Sequence, residues 1–255
     1  MTDRVPTCEL LWFAPENVPQ NFSAIIYGQR RSGKTTWLRW FLWTQRYEYD
    51  RVVVFSSTCF NGDFQQFMNP KLCYPHYDER VMQAILDAQA GVPAQQREKV
   101  LIILDDVLDE ETAFRKRGKN ALVTCYTMGR HYNLSVIMCT QYAKSIPTSW
   151  RRNVDFALIF YTFSPDMMEV YYKEYGGLLS KNQFMAIIKQ ATSDHQALVV
   201  MPCSKSTIIQ KYYQLTRADV NVPKFYIGKP PKEDKGEEPP EANPEAQDMT
   251  AYLYK

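Results

Sequence analysis

Five uninterrupted apolar runs punctuate the chain: "SAIIY" (23–27), "RVVVFSS" (51–57), "KVLIILDDV" (99–107), "LSVIMCTQ" (134–141) and "DFALIFYTF" (155–163). None alternates apolar with polar positions. Continuous β-branched and apolar runs are expected of strands in a parallel sheet whose two faces are both covered by helices. Helical stretches are predicted between and after them, over 33–47, 78–90, 118–131 and 164–177. In the last, Ser164 is the expected N-cap, Pro165 the first helical residue and Gly176 the stop. "HQALVVMP" (195–202) and "TIIQKYYQL" (207–215) are predicted to close the sheet as a pair of strands. No internal repeat is present. The pattern describes an α/β domain with a mostly parallel central sheet flanked by helices.

Composition changes one part of that picture. The 255 residues are 45% hydrophobic and 23% charged, with a formal net charge of +2, ordinary values for a globular chain. The charge is unevenly placed. Segment 229–248 holds three lysines against seven acids and five prolines, leaving 27 basic and 21 acidic residues elsewhere. It carries no large apolar side chain to offset the entropy of folding. The expected organisation is therefore a domain over 1–228 and a disordered acidic tail over 229–255. No apolar run approaches the roughly 18 residues of a membrane span, and "MTDRVPTCELLWF" lacks the apolar core of a signal peptide. The six cysteines are scattered without a C-x-x-C pair, so a reducing intracellular compartment is expected.

Chemistry enters at "YGQRRSGKTTW" (27–37), where Gly28, four residues, then Gly33-Lys34-Thr35 match the G-x-x-x-x-G-K-[ST] phosphate-binding loop. Chance matches in a chain this long are on the order of one in a hundred. The context is also right, because the pattern follows an apolar strand and opens a helical stretch. Gly28 permits the tight turn and Gly33 the close backbone approach. The amides of 29–35 then converge on phosphate at a helix N-terminus. The expected binding set is Gly28, Gln29, Arg30, Arg31, Ser32, Gly33, Lys34, Thr35 and Thr36. Lys34 reaches the β- and γ-phosphates, and the Thr35 hydroxyl ligates Mg²⁺. Trp37, Trp40 and Trp43 follow in the same helix. Core packing against the sheet is the expected role for them, ahead of base stacking.

Two more strand ends point to the same edge. "VLIILDD" puts Asp105 at the C-terminal edge of the sheet, where open α/β sheets bind ligands and where a carboxylate can hold Mg²⁺ through water. Asp106, next in sequence, can polarise an attacking water. Asp109, Glu110 and Glu111 are expected to be a solvated acidic helix start. Gln141 ends "VIMCTQ" and would sit beside the γ-phosphate, sensing it or orienting water. A compact basic run, "RKRGK" (115–119), suits either a solvated helix start or a contact with a DNA backbone.

In order and spacing, "GQRRSGKT", "LIILDD", "GRHYNLSVIMCTQ" and "IPTSWRRN" resemble the genome-packaging ATPases of large DNA viruses (poxvirus-type). Those are members of the FtsK–HerA superfamily of RecA-like P-loop NTPases. The resemblance covers roughly residues 20–165, and its specific part runs from Gly129 to Asn153. It implies a RecA-like fold and ATP hydrolysis with Mg²⁺, coupled to translocation of double-stranded DNA into a capsid. It further implies a homo-oligomeric ring, a capsid or portal partner, and a place in the virion or the infected cell. By resemblance Asp106, Gln141 and Arg151 form the catalytic set, Thr35 and Asp105 the metal set. Gln141 would be the sensor and Arg151 the finger reaching a neighbour's nucleotide, with Arg130 and Arg152 as rivals. Asp106 departs from the superfamily, which more often has the longer Glu there.

Two other functions share the loop. A small-molecule or nucleotide kinase needs an acceptor site and an arginine-rich lid, which "KSIPTSWRRN" (144–153) could imitate. It does not require the Thr140-Gln141 strand end. A nucleotide-dependent assembly factor without motor activity is the other, and its GTP-switch form lacks the guanine-reading N-K-x-D element here.

Overall fold

The computed structural model describes residues 9–61, 64–107, 120–177 and 179–230. The strands are β1 (Leu11–Trp12), β2 (Ser23–Tyr27), β3 (Arg51–Ser56), β4 (Cys73–Tyr74), β5 (Val100–Asp105), β6 (Leu134–Thr140), β7 (Phe156–Ile159), β8 (Ala197–Val200) and β9 (Tyr213–Thr216). The helices are α1 (Lys34–Thr44), α2 (Glu79–Ala90), α3 (Ala121–Met128), α4 (Thr148–Arg151), α5 (Pro165–Tyr175), α6 (Lys181–Ala191) and α7 (Ile209–Tyr212).

One sheet runs in the order β1-β9-β8-β7-β2-β6-β5-β3-β4. All pairings are parallel except the two made by β8. Every residue of β2, β6, β7 and β8 is buried. Burial on both faces is what removes the polar–apolar alternation from these segments. The mostly parallel sheet flanked by helices that the apolar runs predict is the one observed.

Local chemistry sets the helix starts. Asp78 accepts from the Arg80 amide at the head of α2, and Asn120 accepts from the Leu122 amide at the head of α3. Ser164 caps α5 ahead of Pro165. Helix α6 lay outside the pattern of expected helices, yet Ser180-x-x-Gln183 forms a reciprocal capping box at its start. That signature was available in the sequence. In "TIIQKYYQL" only the second half is strand; the first half is the single turn α7, which delivers Tyr213 into the sheet opposite Val200 of β8.

Trp37 joins the two ends of this architecture. It is 1% exposed and stacks on Phe41 at 5.0 Å between ring centroids. Its indole Nε1 donates to the Thr216 hydroxyl at 2.8 Å. The last residue of β9 is thereby fixed to the first turn of α1. Beyond Thr216 the chain crosses to the other side of the sheet. Phe225 stacks on Phe67 at 4.8 Å, the Ile227 amide donates to the Phe67 carbonyl, and Lys229 pairs with Asp50 and Glu98. Lys229, assigned by composition to the tail, is thus tied to the body; the rest of that segment, from 231 onward, lies outside the described residues. So do Asp109, Glu110, Glu111 and the basic run 115–119.

Trp37→Ala should destabilise the fold by about 3–5 kcal/mol through cavity formation. Trp37→Phe, which keeps a ring but drops the hydrogen bond, should cost about 0.5–1.5 kcal/mol. Urea unfolding of both variants measures this; a negligible loss in Trp37→Phe would show that the indole N–H carries no share.

Candidate functional site: a phosphate loop at the sheet edge

The three motifs meet because of strand register. Tyr27 is paired with Thr140 across β2 and β6, and Asp105 with Cys139 across β5 and β6. Gly28, Gln141 and Asp106 therefore leave three adjacent strands within one residue of the same level. Hydrogen bonds hold the exits together: the Gly28 amide donates to the Thr140 carbonyl at 3.1 Å, and the Asp106 amide to the Cys139 carbonyl at 3.2 Å. With neighbouring strands about 4.7–4.9 Å apart, side chains so distant in sequence come within contact.

The loop is compact. A Cβ on Gly28 would lie 2.4 Å from Ser32 Oγ and 3.1 Å from Lys34 Cγ, so only glycine fits. Gly33 adopts φ +103°, a left-handed conformation that favours glycine. It directs the chain into α1. Arg31, at φ 65°, is a non-glycine residue in the same region. Lys34 is buried, and its Nζ donates to the Gly28 carbonyl at 2.6 Å. The ammonium lies folded back over the loop, 3.8 Å from Asp106 Oδ2.

Asp106 sits at φ 51°, a backbone conformation that costs a non-glycine residue free energy and clusters at functional sites. Here it aims the carboxylate: Gln141 Nε2 donates to Asp106 Oδ2 at 3.0 Å. Asp105 is placed differently. Ser56, fully buried on β3, donates to Asp105 Oδ2 at 3.0 Å and also bonds Thr58. Cys139, beneath these acids, has its thiol pushed well above its ordinary pKa by burial and by the charges of Asp105 and Asp106. It remains protonated and is no nucleophile.

These groups surround a cavity of about 820 Å³. Gln29, Arg30, Arg31, Gly33, Lys34, Thr35 and Thr36 form one wall, and Asp105, Asp106 and Gln141 face them. Gly28 and Ser32 do not line this cavity; Ser32 lines a smaller one beside it, with Arg30 and Arg31. Arg30 and Arg31 are exposed at the mouth. Among the described residues the buried Ser32 hydroxyl has no hydrogen-bond partner, which leaves a donor for an anion held by the loop. The donor set of hydroxyl and carboxylate oxygens is hard, matching Mg²⁺ rather than a soft metal.

Arg151 requires a correction. A finger reaching a neighbour must present its guanidinium at the surface, but Arg151 is 7% exposed and turned inward. Its Nη1 donates to the carbonyls of Ala143 and Ile146, and its Nη2 to Thr148 Oγ1 and to Glu174 Oε1 at 3.1 Å. It is a brace between α4 and α5. Arg152, 65% exposed on its side chain, holds the second oxygen of Glu174, and Arg130 is exposed.

Other cavity residues carried no motif to announce them. Ser57 and Thr58 follow β3, Phe160 follows β7, His195 precedes β8, and Arg217, Ala218 and Val220 follow β9. Ser57 and His195 fall at the ends of predicted strand runs and Phe160 within one, which is the only signal the sequence offers for them.

Comparison with known proteins agrees with this architecture. The family model described as Poxvirus A32 protein matches residues 13–219. The "Uncharacterized protein 075L" of Invertebrate iridescent virus 6 is 27% identical over 183 residues, 69% of each chain. The "Uncharacterized protein 088R" of Invertebrate iridescent virus 3 is 25% identical over 209 residues, 80% of this chain and 79% of the other. Among solved structures, the genome packaging NTPase B204 from Sulfolobus turreted icosahedral virus 2, in complex with ATP-gammaS, superposes with a TM-score of 0.58 at 12% identity. That match covers 77% of this chain and 97% of B204. The pCW3 conjugation coupling protein TcpA with ATPgS gives a TM-score of 0.55 at 10% identity, over 87% and 71% of the two chains. At these identities the structural likeness speaks to the fold.

Arg151→Ala should destabilise the chain by about 3–5 kcal/mol, because it strips a buried partner from Glu174. The pair Arg151→Met with Glu174→Met should lose less than Arg151→Ala alone. Denaturant unfolding checks both, and a loss below about 1 kcal/mol for Arg151→Ala would return this residue to the surface role.

Proposed function

Because this chain belongs to the Poxvirus A32 protein family, we propose that it is an ATPase that drives double-stranded DNA into a viral capsid. The observation that carries the proposal is the meeting of Lys34, Asp106 and Gln141 at one sheet edge, linked by contacts of 3.8 and 3.0 Å. A phosphate loop alone suits many nucleotide enzymes. A strand-terminal glutamine bonded to the acid that faces the loop lysine suits hydrolysis, with a report of the γ-phosphate's state. B204, which shares the fold, is itself described as a genome packaging NTPase.

In this mechanism ATP lies along the loop, its β- and γ-phosphates on the amides of 29–35 and on Lys34. Lys34 gives up its bond to the Gly28 carbonyl and swings to the phosphates, relieving that contact as substrate arrives. Thr35 and Asp105 would hold Mg²⁺, with Ser56 keeping the Asp105 carboxylate in place. Bound there, the ion would supply positive charge against that developing on the phosphates. Asp106 orients the attacking water and takes its proton. The water oxygen bonds to the γ-phosphorus as the bond to the β-bridging oxygen breaks, and ADP leaves with that electron pair. Gln141, bonded to Asp106 before the reaction, changes partner when the γ-phosphate departs.

Transmission to DNA runs through the segment after Gln141. Tyr142, Thr140 and Ser145 share a hydrogen-bonded turn, and α4 follows directly. A ring of subunits, working in the virion or infected cell against a capsid or portal protein, would convert that movement into translocation. With Arg151 internal, Arg130 and Arg152 are the candidates for the charge supplied across a subunit boundary.

Steady-state ATPase with and without double-stranded DNA tests the function. Lys34→Ala should abolish turnover, and Asp106→Asn should lower kcat by about 10²–10⁴ with a smaller effect on KM. Gln141→Ala should weaken the stimulation by DNA more than the basal rate. A rate indifferent to DNA, together with phosphate transfer to a small acceptor, would replace the motor with a kinase.

A further inference from the structure

The cavity does not end at the phosphate loop. It extends past Thr35 and Thr36 to Arg217, Ala218 and Val220 on the segment after β9, and to His195 in the turn before β8. We propose that this strap and turn form the nucleoside subsite, with Ala218 and Val220 covering a face of the base and His195 and Arg217 flanking the ribose. This rests on the nucleotide-hydrolase reading above and deepens it, assigning the part of the ligand that the loop motif does not address.

Direction comes first. Asp106 and Gln141 mark the end where the terminal phosphate reacts. A triphosphate lying on the loop from that end brings its α-phosphate to the first turn of α1, at Thr35 and Thr36. The nucleoside must therefore leave the loop beside that turn. The Trp37–Thr216 hydrogen bond, 2.8 Å long and buried, fixes the end of β9 against the same turn. The first residues of the strap emerge where the nucleoside would lie.

Chemistry comes second. Val220 is 76% exposed, although it is aliphatic and lines the cavity on one side of the strap and a smaller one, with Thr36 and Phe67, on the other. A scattered exposed valine needs no explanation, but one set into the wall of the phosphate site offers apolar area to a flat ring. Cavities of this size commonly combine apolar walls with a few placed polar groups.

Preorganisation comes third. Asp219 Oδ1 accepts from the Asn221 amide at 2.8 Å, which shapes the strap locally. Phe225, Ile227 and Lys229 anchor its far end. On the other side, Asp194 and His195 are consecutive non-glycine residues with φ of 51° and 58°. Asp194 pairs with Arg217 at 3.1 Å, so the strained turn and the strap are tied into one wall. A wall held in this way loses little freedom on binding.

The test separates the two halves of the ligand. Equilibrium binding of a non-hydrolysable ATP analogue and of inorganic tripolyphosphate is measured on the full chain, on Val220→Asp, Val220→Ala and Lys34→Ala, each checked by thermal unfolding. Val220→Asp should weaken the analogue by about tenfold and leave tripolyphosphate within twofold, with Val220→Ala intermediate. Lys34→Ala should weaken both ligands. If both Val220 variants leave the analogue within twofold while Lys34→Ala weakens both, the strap proposal is wrong and the phosphate-site reading stands. An equal loss of both ligands in Val220→Asp would also overturn the proposal, because it would place the effect at the loop. If Lys34→Ala changes neither, the phosphate-site reading fails, and the subsite with it.

Discussion

Everything in the candidate site depends on three parallel strands ending level. β2, β6 and β5 are adjacent in the sheet, and the register pairs Tyr27 with Thr140 and Asp105 with Cys139. A slip of one residue in a strand would turn its side chains to the opposite face. It would also draw Asp106 or Gln141 away from Lys34 by more than 3 Å. Register is enforced by burial on both faces, since each of these strands has its apolar residues locked against helices. The core thus decides the geometry of the polar edge. Asp106, in its left-handed conformation, is the one residue of the trio whose backbone is bent to complete it.

The arginines show how burial assigns roles to identical side chains. Arg151 and Arg152 are neighbours in sequence, and both touch Glu174. Arg151 points inward, where two backbone carbonyls, a hydroxyl and a carboxylate accept from its two Nη atoms. Arg152 points outward and keeps its guanidinium exposed. Their motif, Arg-Arg-Asn, contains nothing that distinguishes them. The distinction arises from the carbonyls of Ala143 and Ile146 and from a glutamate on α5.

The segment after β9 has a related lesson. By sequence it is an unremarkable run with no periodicity, and yet it crosses from one side of the sheet to the other above the first turn of α1. Trp37 makes this possible by holding Thr216, so an aromatic residue of the loop helix sets the starting point of a strap 179 residues later in the chain. The expectation that this tryptophan serves packing is correct, and its single polar atom adds the positional constraint.

Much of the architecture was legible from the chain alone, for a physical reason: local chemistry and uniform burial leave a local imprint. Apolar runs marked β2, β3, β5, β6 and β7; Ser164, Pro165 and Gly176 bounded α5; the spacing of Gly28, Gly33, Lys34 and Thr35 marked the loop. Asp106 and Gln141 were legible as candidates because each ends a buried strand. Long-range contacts leave no such imprint. Whether Arg151 faces in or out, how Ser56 holds Asp105, and why His195 and Val220 share a cavity with Lys34 all depend on elements far apart in sequence. A phosphate loop on a mostly parallel sheet follows from the local order of residues; packing between distant elements selects the side chains that surround it.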